Sequence, residues 1–144
     1  MSMTQATFIV EFQFGILSSG RAMSVQVCYN DQCWEVPVIP ENRRSKVELN
    51  VALPGTVKFV FSGKDNNHDT IVDKDGRVIE DMFVKVQRIA LDGFETDTIF
   101  LNQRLNLETE SNGTITTSYV GFNGSMKICM TKPTIFGQVM AWRR

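Results

Sequence analysis

Apolar residues recur at every second position along much of the chain. Phe8, Val10, Phe12 and Phe14 alternate with Thr7, Ile9, Glu11 and Gln13, which predicts a half-buried β-strand with one strongly apolar face. Val25, Val27 and Tyr29 repeat the pattern, and Trp34, Val36 and Val38 follow after Asn30-Asp31. Pro37 inside that last run marks an edge strand or a bulge, because proline has no N–H for a ladder. Val47, Leu49, Val51 and Leu53 alternate with Lys46, Glu48 and Asn50, and Pro54-Gly55 turns the chain into Val57, Phe59 and Phe61. From Met82 to Leu91 the parity slips. Val84 and Val86 share one parity, Ile89 and Leu91 the other, so one extra residue near Gln87-Arg88 predicts a β-bulge. Asp92-Gly93 closes that strand, and the stretch from 99 to 107 is a weaker one. Asn123-Gly124 is a strong two-residue hairpin signal; pairing outward from it sets Tyr119 opposite Ile128 and Gly121 opposite Met126.

No segment carries a helical period. Short strands separated by turn residues predict an all-β fold: a single β-sandwich, jelly-roll-like, with a C-terminal hairpin. The 144 residues fit one domain spanning 1–144. Its core is expected over about 5–93, with 94–144 supplying completing strands or a hairpin extension.

Composition narrows the function classes. A hydrophobic fraction of 42% is enough for one core, and the formal net charge of -1 comes without a basic run. A nucleic-acid partner is therefore not expected. The apolar runs are too short to cross a bilayer as helices, so no membrane partner is expected either. Residues 1–10 lack the basic and apolar regions of a signal peptide, which predicts synthesis in the cytoplasm without export. The 3 cysteines and 1 histidine fit neither a set of paired disulfides nor a zinc pattern. If Asn30-Asp31 is a two-residue loop, Cys28 and Cys33 stand directly opposite on paired strands. Without an exported context they are expected to be a reduced pair able to be oxidised.

The catalytic templates are absent. There is no Gly-rich phosphate loop, no G-x-S-x-G elbow and no H-E-x-x-H. His68 lies in a polar loop beside Asp69 with no nucleophile near it in sequence, so the chain is expected not to be an enzyme.

The segment from Phe61 to Asp81 is the most informative one. Asp65, Asn66, Asn67, Asp69, Thr70, Asp73, Asp75 and Asp81 crowd oxygen atoms into one loop. Carboxylates and Asn carbonyls are the hard oxygen ligands that calcium takes. The spacing is not that of an EF-hand. The same residues also suit a solvated loop of Asx-turns with Asp75-Gly76 as a hairpin turn. Aromatic residues are the other clue, since Trp and Tyr rings can stack on sugars. Tyr29 and Trp34 are candidate ligand-binding residues, although their strand parity also suits a core. Tyr119, Phe122, Phe136 and Trp142 lie late in the chain, after the strands that supply most of the core. They are candidate interface residues for a partner copy or a lattice.

The run from Val25 to Gly93 resembles the calcium-dependent carbohydrate-binding modules of the xylan-binding type. The motifs that carry it are V-Q-V-C-Y-N-D-Q, K-V-E-L-N-V-A-L-P, V-K-F-V-F, the Asp/Asn-rich loop and F-V-K-V-Q-R-I-A-L-D-G. The resemblance covers about half of the chain. It implies a non-catalytic jelly roll whose Ca2+ would be held by Asp65, Asn67, Asp69 and Asp73. The same loop and strand are similar to small structural proteins of contractile-tailed cyanophages. That implies a bacteriophage virion component, a capsid decoration or tail protein made in the host cytoplasm and assembled as a homo-oligomer or with other virion proteins. The alternative is a stand-alone calcium-dependent glycan-binding module.

Overall fold

The computed structural model describes residues 4–38, 42–65, 68–95, 105–110 and 113–130. Among them there are strands and turns and no helix. Two antiparallel sheets face each other across one apolar core, so the fold is an all-β sandwich.

The first sheet is built on β1 (Thr4–Gly15), which lies between β4 (Arg44–Leu53) and β8 (Phe83–Leu91). The short β12 (Tyr119–Val120) and β9 (Phe94–Glu95) pair with the far side of β8. In the second sheet the order is β11 (Thr114–Thr116), β10 (Asn106–Thr109), β13 (Gly124–Met130), β5 (Gly55–Ser62), β2 (Ser24–Tyr29) and β3 (Gln32–Glu35). The chain passes repeatedly from one sheet to the other, in the manner of a jelly roll. A separate hairpin of β6 (Thr70–Val72) and β7 (Val78–Asp81) fills part of the Asp/Asn-rich loop.

The alternation read from the sequence is what packs this core. Phe8, Val10, Phe12 and Phe14 are buried on β1, and Val57, Phe59 and Phe61 are buried on β5. The two sheets meet through rings: Phe12 and Phe59 pack edge to face with centroids 5.2 Å apart, the arrangement that ring quadrupoles favour. The bulge also lies where the parity slips. Glu11 pairs with Arg88 and Phe12 with Val86, so Gln87 is the extra residue. Asn30 and Asp31 both take positive φ, 51° and 63°. These are the backbone angles of a tight two-residue hairpin, and they set Cys28 opposite Cys33.

Two expectations are corrected. Cys28 and Cys33 are not a reduced pair; they form a disulfide, with Cα atoms 4.1 Å apart. The late hairpin does not form either. Tyr119 and Val120 pair with Lys85 and Val84 in the first sheet, while β13 pairs with β5 in the second. The chain therefore changes sheets at 121–123 instead of turning back on itself. Gly124 is needed for close approach, not for a hairpin turn: a Cβ there would lie 2.3 Å from the Glu108 carbonyl oxygen. The side chain of Asn123 is spent on the backbone of Lys64, accepting from its N–H at 2.9 Å and donating to its C=O at 2.8 Å.

Candidate functional site

The acidic loop does not gather its carboxylates around one point. Asp69 is buried and accepts from Arg21 Nη2 at 2.8 Å and from the Asp65 backbone N–H at 2.7 Å. Asp65 Oδ2 meets His68 Nδ1 at 2.7 Å. Asp73 stands at the other end of β6, where its Oδ1 accepts from the N–H groups of Asp75 and Arg77, both at 2.9 Å. The three residues of β6 separate it from Asp69, which puts their Cα atoms about 13 Å apart at the usual strand rise. The two carboxylates therefore stand at opposite ends of β6. Asn67 lies outside the described residues. Among the described residues no group of three or more His, Cys, Asp or Glu could hold a metal. Asp65, Asp69 and Asp73 are not gathered as a set for a calcium ion, and one oxygen of each is already engaged by His68, by Arg21 with the Asp65 N–H, or by the N–H groups of Asp75 and Arg77.

The last acid of the segment belongs to a different arrangement. Asp81, at the end of β7, lies beside Lys64, Thr70 and Tyr119. Lys64 Nζ and Thr70 Oγ1 each donate to Asp81 Oδ1 at 2.7 Å, and the Tyr119 hydroxyl donates to Oδ2. The Lys64 side chain is only 2% exposed. A buried ammonium needs a counter-charge, and Asp81 supplies it. Burial alone would raise the Asp81 pKa. Hydrogen bonds from Lys64, Tyr119 and Thr70, with the Lys64 charge, outweigh it and hold the group below the ordinary 3.8. Tyr119 moves the other way: burial, then the hydrogen bond to Asp81 and its negative charge, raise the phenol above its ordinary value. Both groups are thus locked in the forms they already have at neutral pH.

These side chains wall a cleft of about 330 Å³, lined also by Leu107, Ile115, Thr117, Gly121 and Phe122. Tyr119 is 40% exposed. Its ring stacks on Phe83 with centroids 4.6 Å apart and planes 25° apart, so one face is supported. Gly121 keeps that space open, since a Cβ there would sit 3.4 Å from the Tyr119 ring and 3.8 Å from Lys64 Nζ. Asp81 is the only acid among the described lining residues. Hydrolysis of a glycosidic bond ordinarily needs two such groups.

Of the residues singled out from sequence, Tyr119 and Phe122 line this cleft. Phe136 and Trp142 lie outside the described residues. Tyr29 and Trp34 do not reach it. Tyr29 is half-buried against the core, and its hydroxyl accepts from the Ala52 N–H at 2.7 Å. Trp34 is exposed on the edge strand β3. Sequence reasoning missed Lys64 and Gly121, and it counted Thr70 and Asp81 only among the oxygens of the acidic loop. Lys64 carries no local mark of burial, because its partner Asp81 lies 17 residues away.

No protein-family model matches the chain, and no curated protein matches it. Two solved structures resemble it. One is the SeMet form of vCBM60, described as part of a link by circular permutation between two families of calcium-dependent carbohydrate-binding modules. It is 17% identical, with a TM-score of 0.48, over 85% of this chain and 88% of that one. The other is vCBM60 in complex with galactobiose, 14% identical with a TM-score of 0.44, over 84% of this chain and 95% of that one.

Proposed function

We propose that this chain is a non-catalytic glycan-binding β-sandwich whose sugar site is the Tyr119 cleft. One observation carries the reading: a supported, half-exposed aromatic ring stands beside a buried lysine–aspartate pair. A pyranose offers an apolar face and a rim of hydroxyls. The Tyr119 ring would take the face, and Lys64, Asp81 and the Tyr119 oxygen would hold the hydroxyls. Lys64 supplies the positive charge that a cation would otherwise bring to Asp81, so binding in this cleft does not require Ca2+.

Isothermal titration with galactobiose and xylo-oligosaccharides tests the proposal, run in calcium and in chelator. Tyr119→Ala and Gly121→Val should each weaken binding by about tenfold or more, the worth of a lost stacking contact or a filled cleft (about 1.4 kcal/mol). Equal affinity in chelator is expected. Wild-type affinity in both variants would sink the proposal. Loss of binding in chelator alone would instead assign the sugar site to a calcium-bound form of the 65–73 loop.

A second reading has its own support. Ile71, Val72, Val78 and Ile79 on the β6–β7 hairpin are 37–63% exposed. Clustered apolar surface of this kind suits a protein partner. It supports the structural role in a bacteriophage virion, as a capsid decoration or tail component made in the host cytoplasm. Co-sedimentation with particles tests it; Ile79→Asp together with Val78→Asp should release the protein.

A further inference from the structure

The outer edge of β4 is a ten-residue strand edge that no other described strand pairs with. Its phase is fixed by one bond: the Phe14 N–H donates to the Arg43 carbonyl at 2.8 Å. In an antiparallel ladder the backbone groups alternate in direction. The odd-numbered residues of β4 therefore face β1, and the even-numbered ones face outward. Two caps agree with this. The Arg44 N–H donates to Asn42 Oδ1 and the Ala52 N–H to the Tyr29 hydroxyl. Between the caps, Lys46, Glu48 and Asn50 present their N–H and C=O groups to the outside. Natural proteins usually blunt such an edge with charge. Here the two charges have opposite sign and flank Val47, and neither is in an ion pair among the described residues.

We propose that this edge pairs with the same edge of a second copy, antiparallel, about a two-fold axis at Val47. Lys46 then lies opposite Glu48 of the second copy, and Glu48 opposite its Lys46. Arg44 faces Asn50. Every outward residue meets an outward residue, so each Lys46–Glu48 pair can exchange two backbone hydrogen bonds, and each Arg44–Asn50 pair one, because the Arg44 N–H is held by Asn42. Charge also selects this register over its neighbours. An axis at Lys46 would set lysine against lysine, and an axis at Glu48 would set glutamate against glutamate; like charges directly opposite are destabilising. On the core side Val47 and Leu49 are only partly buried against the core. The two-fold brings Val47 against Val47 as a close, non-hydrogen-bonded pair and completes that burial. The two first sheets become one continuous sheet. An isologous contact of this kind closes on itself and stops at the dimer. The edge contributes no residue to the Tyr119 cleft, so the proposal stands apart from the glycan reading.

Sedimentation velocity across a concentration series tests it. The wild type should dimerise. Lys46→Glu and Glu48→Lys should each weaken the dimer by about tenfold or more, because each turns two attractive pairs into repulsive ones. The double variant K46E/E48K restores opposite charges and should return to within about threefold of the wild type. Glu48→Pro removes an outward N–H that the β1 ladder does not use and should abolish pairing while the fold survives. Matching circular dichroism and melting curves establish that each variant is folded. A wild type that stays monomeric, single reversals that dimerise like the wild type, a double variant that does not recover, or a dimeric Glu48→Pro each overturn the proposal.

Discussion

Removing Asp81 should cost far more than removing an ordinary surface acid. In Asp81→Ala the Lys64 amine, 2% exposed, loses its counter-charge. Thr70 and Tyr119 lose their shared acceptor in the same step. Breaking a buried ion pair from one side costs about 3–5 kcal/mol. For 144 residues the entropy of melting converts each kcal/mol into about 3 °C, so the melting temperature should fall by about 10–16 °C. Lys64→Met in the same background removes the stranded amine. K64M/D81A should therefore be more stable than D81A by about 1.5 kcal/mol or more, although it carries one more mutation. Acid gives a second handle. The folded Asp81 pKa lies below 3.8, so its stabilisation is present above that value and fades as pH falls through the folded pKa. The gap between wild type and D81A should narrow in that window and stay constant at neutral pH. Urea or thermal melts followed by circular dichroism read all of this. A D81A loss within about 0.5 kcal/mol, the scatter of ordinary surface substitutions, or a double variant less stable than D81A, would refute the buried-pair account.

Two further outcomes follow from the fold. Reducing the Cys28–Cys33 disulfide, whose partners are 5 residues apart, should lower stability by roughly 2 kcal/mol, the loop-closure entropy of so short a ring; an unchanged melt in reductant would mean that the hairpin does not use the bond. Gly124→Ala should cost about 1–3 kcal/mol, since its methyl would press on the Glu108 carbonyl and the β10 backbone; a neutral result would show that β10 can move away from β13 without loss.

What the sequence revealed was local. Period-two runs found β1, β2, β4, β5 and β8, and the parity slip found Gln87, because each needs only its immediate neighbours. The Asn30-Asp31 turn was legible for the same reason, and it placed Cys28 against Cys33. Their oxidation was not legible, since redox state depends on surroundings that the chain does not encode. The segment 119–130 misled because Asn123-Gly124 has two uses. The same pair suits a tight turn and a close backbone crossing, and only the partner strands β8 and β5 decide between them. The acidic loop shows the same limit. Its oxygens were counted, but the cations and N–H groups that satisfy them come from Arg21, Lys64 and turn backbones. The salt bridge from Arg21 to Asp69 spans 48 positions and that from Lys64 to Asp81 spans 17, beyond the reach of any spacing rule.

The Asn123 clasp on the Lys64 backbone ties the crossing segment to the end of β5. The cleft behind it draws one wall from Lys64, Thr70 and Asp81 and the other from residues between Leu107 and Phe122, so both segments must be in place for it to exist. Half of the chain therefore cannot hold half of the site. A ligand seated there engages only the completed sandwich, so saturating it at about 100 times its dissociation constant should raise global stability by roughly 2.7 kcal/mol. Occupancy of this cleft would then be read in the global melt and not only in the residues that line it.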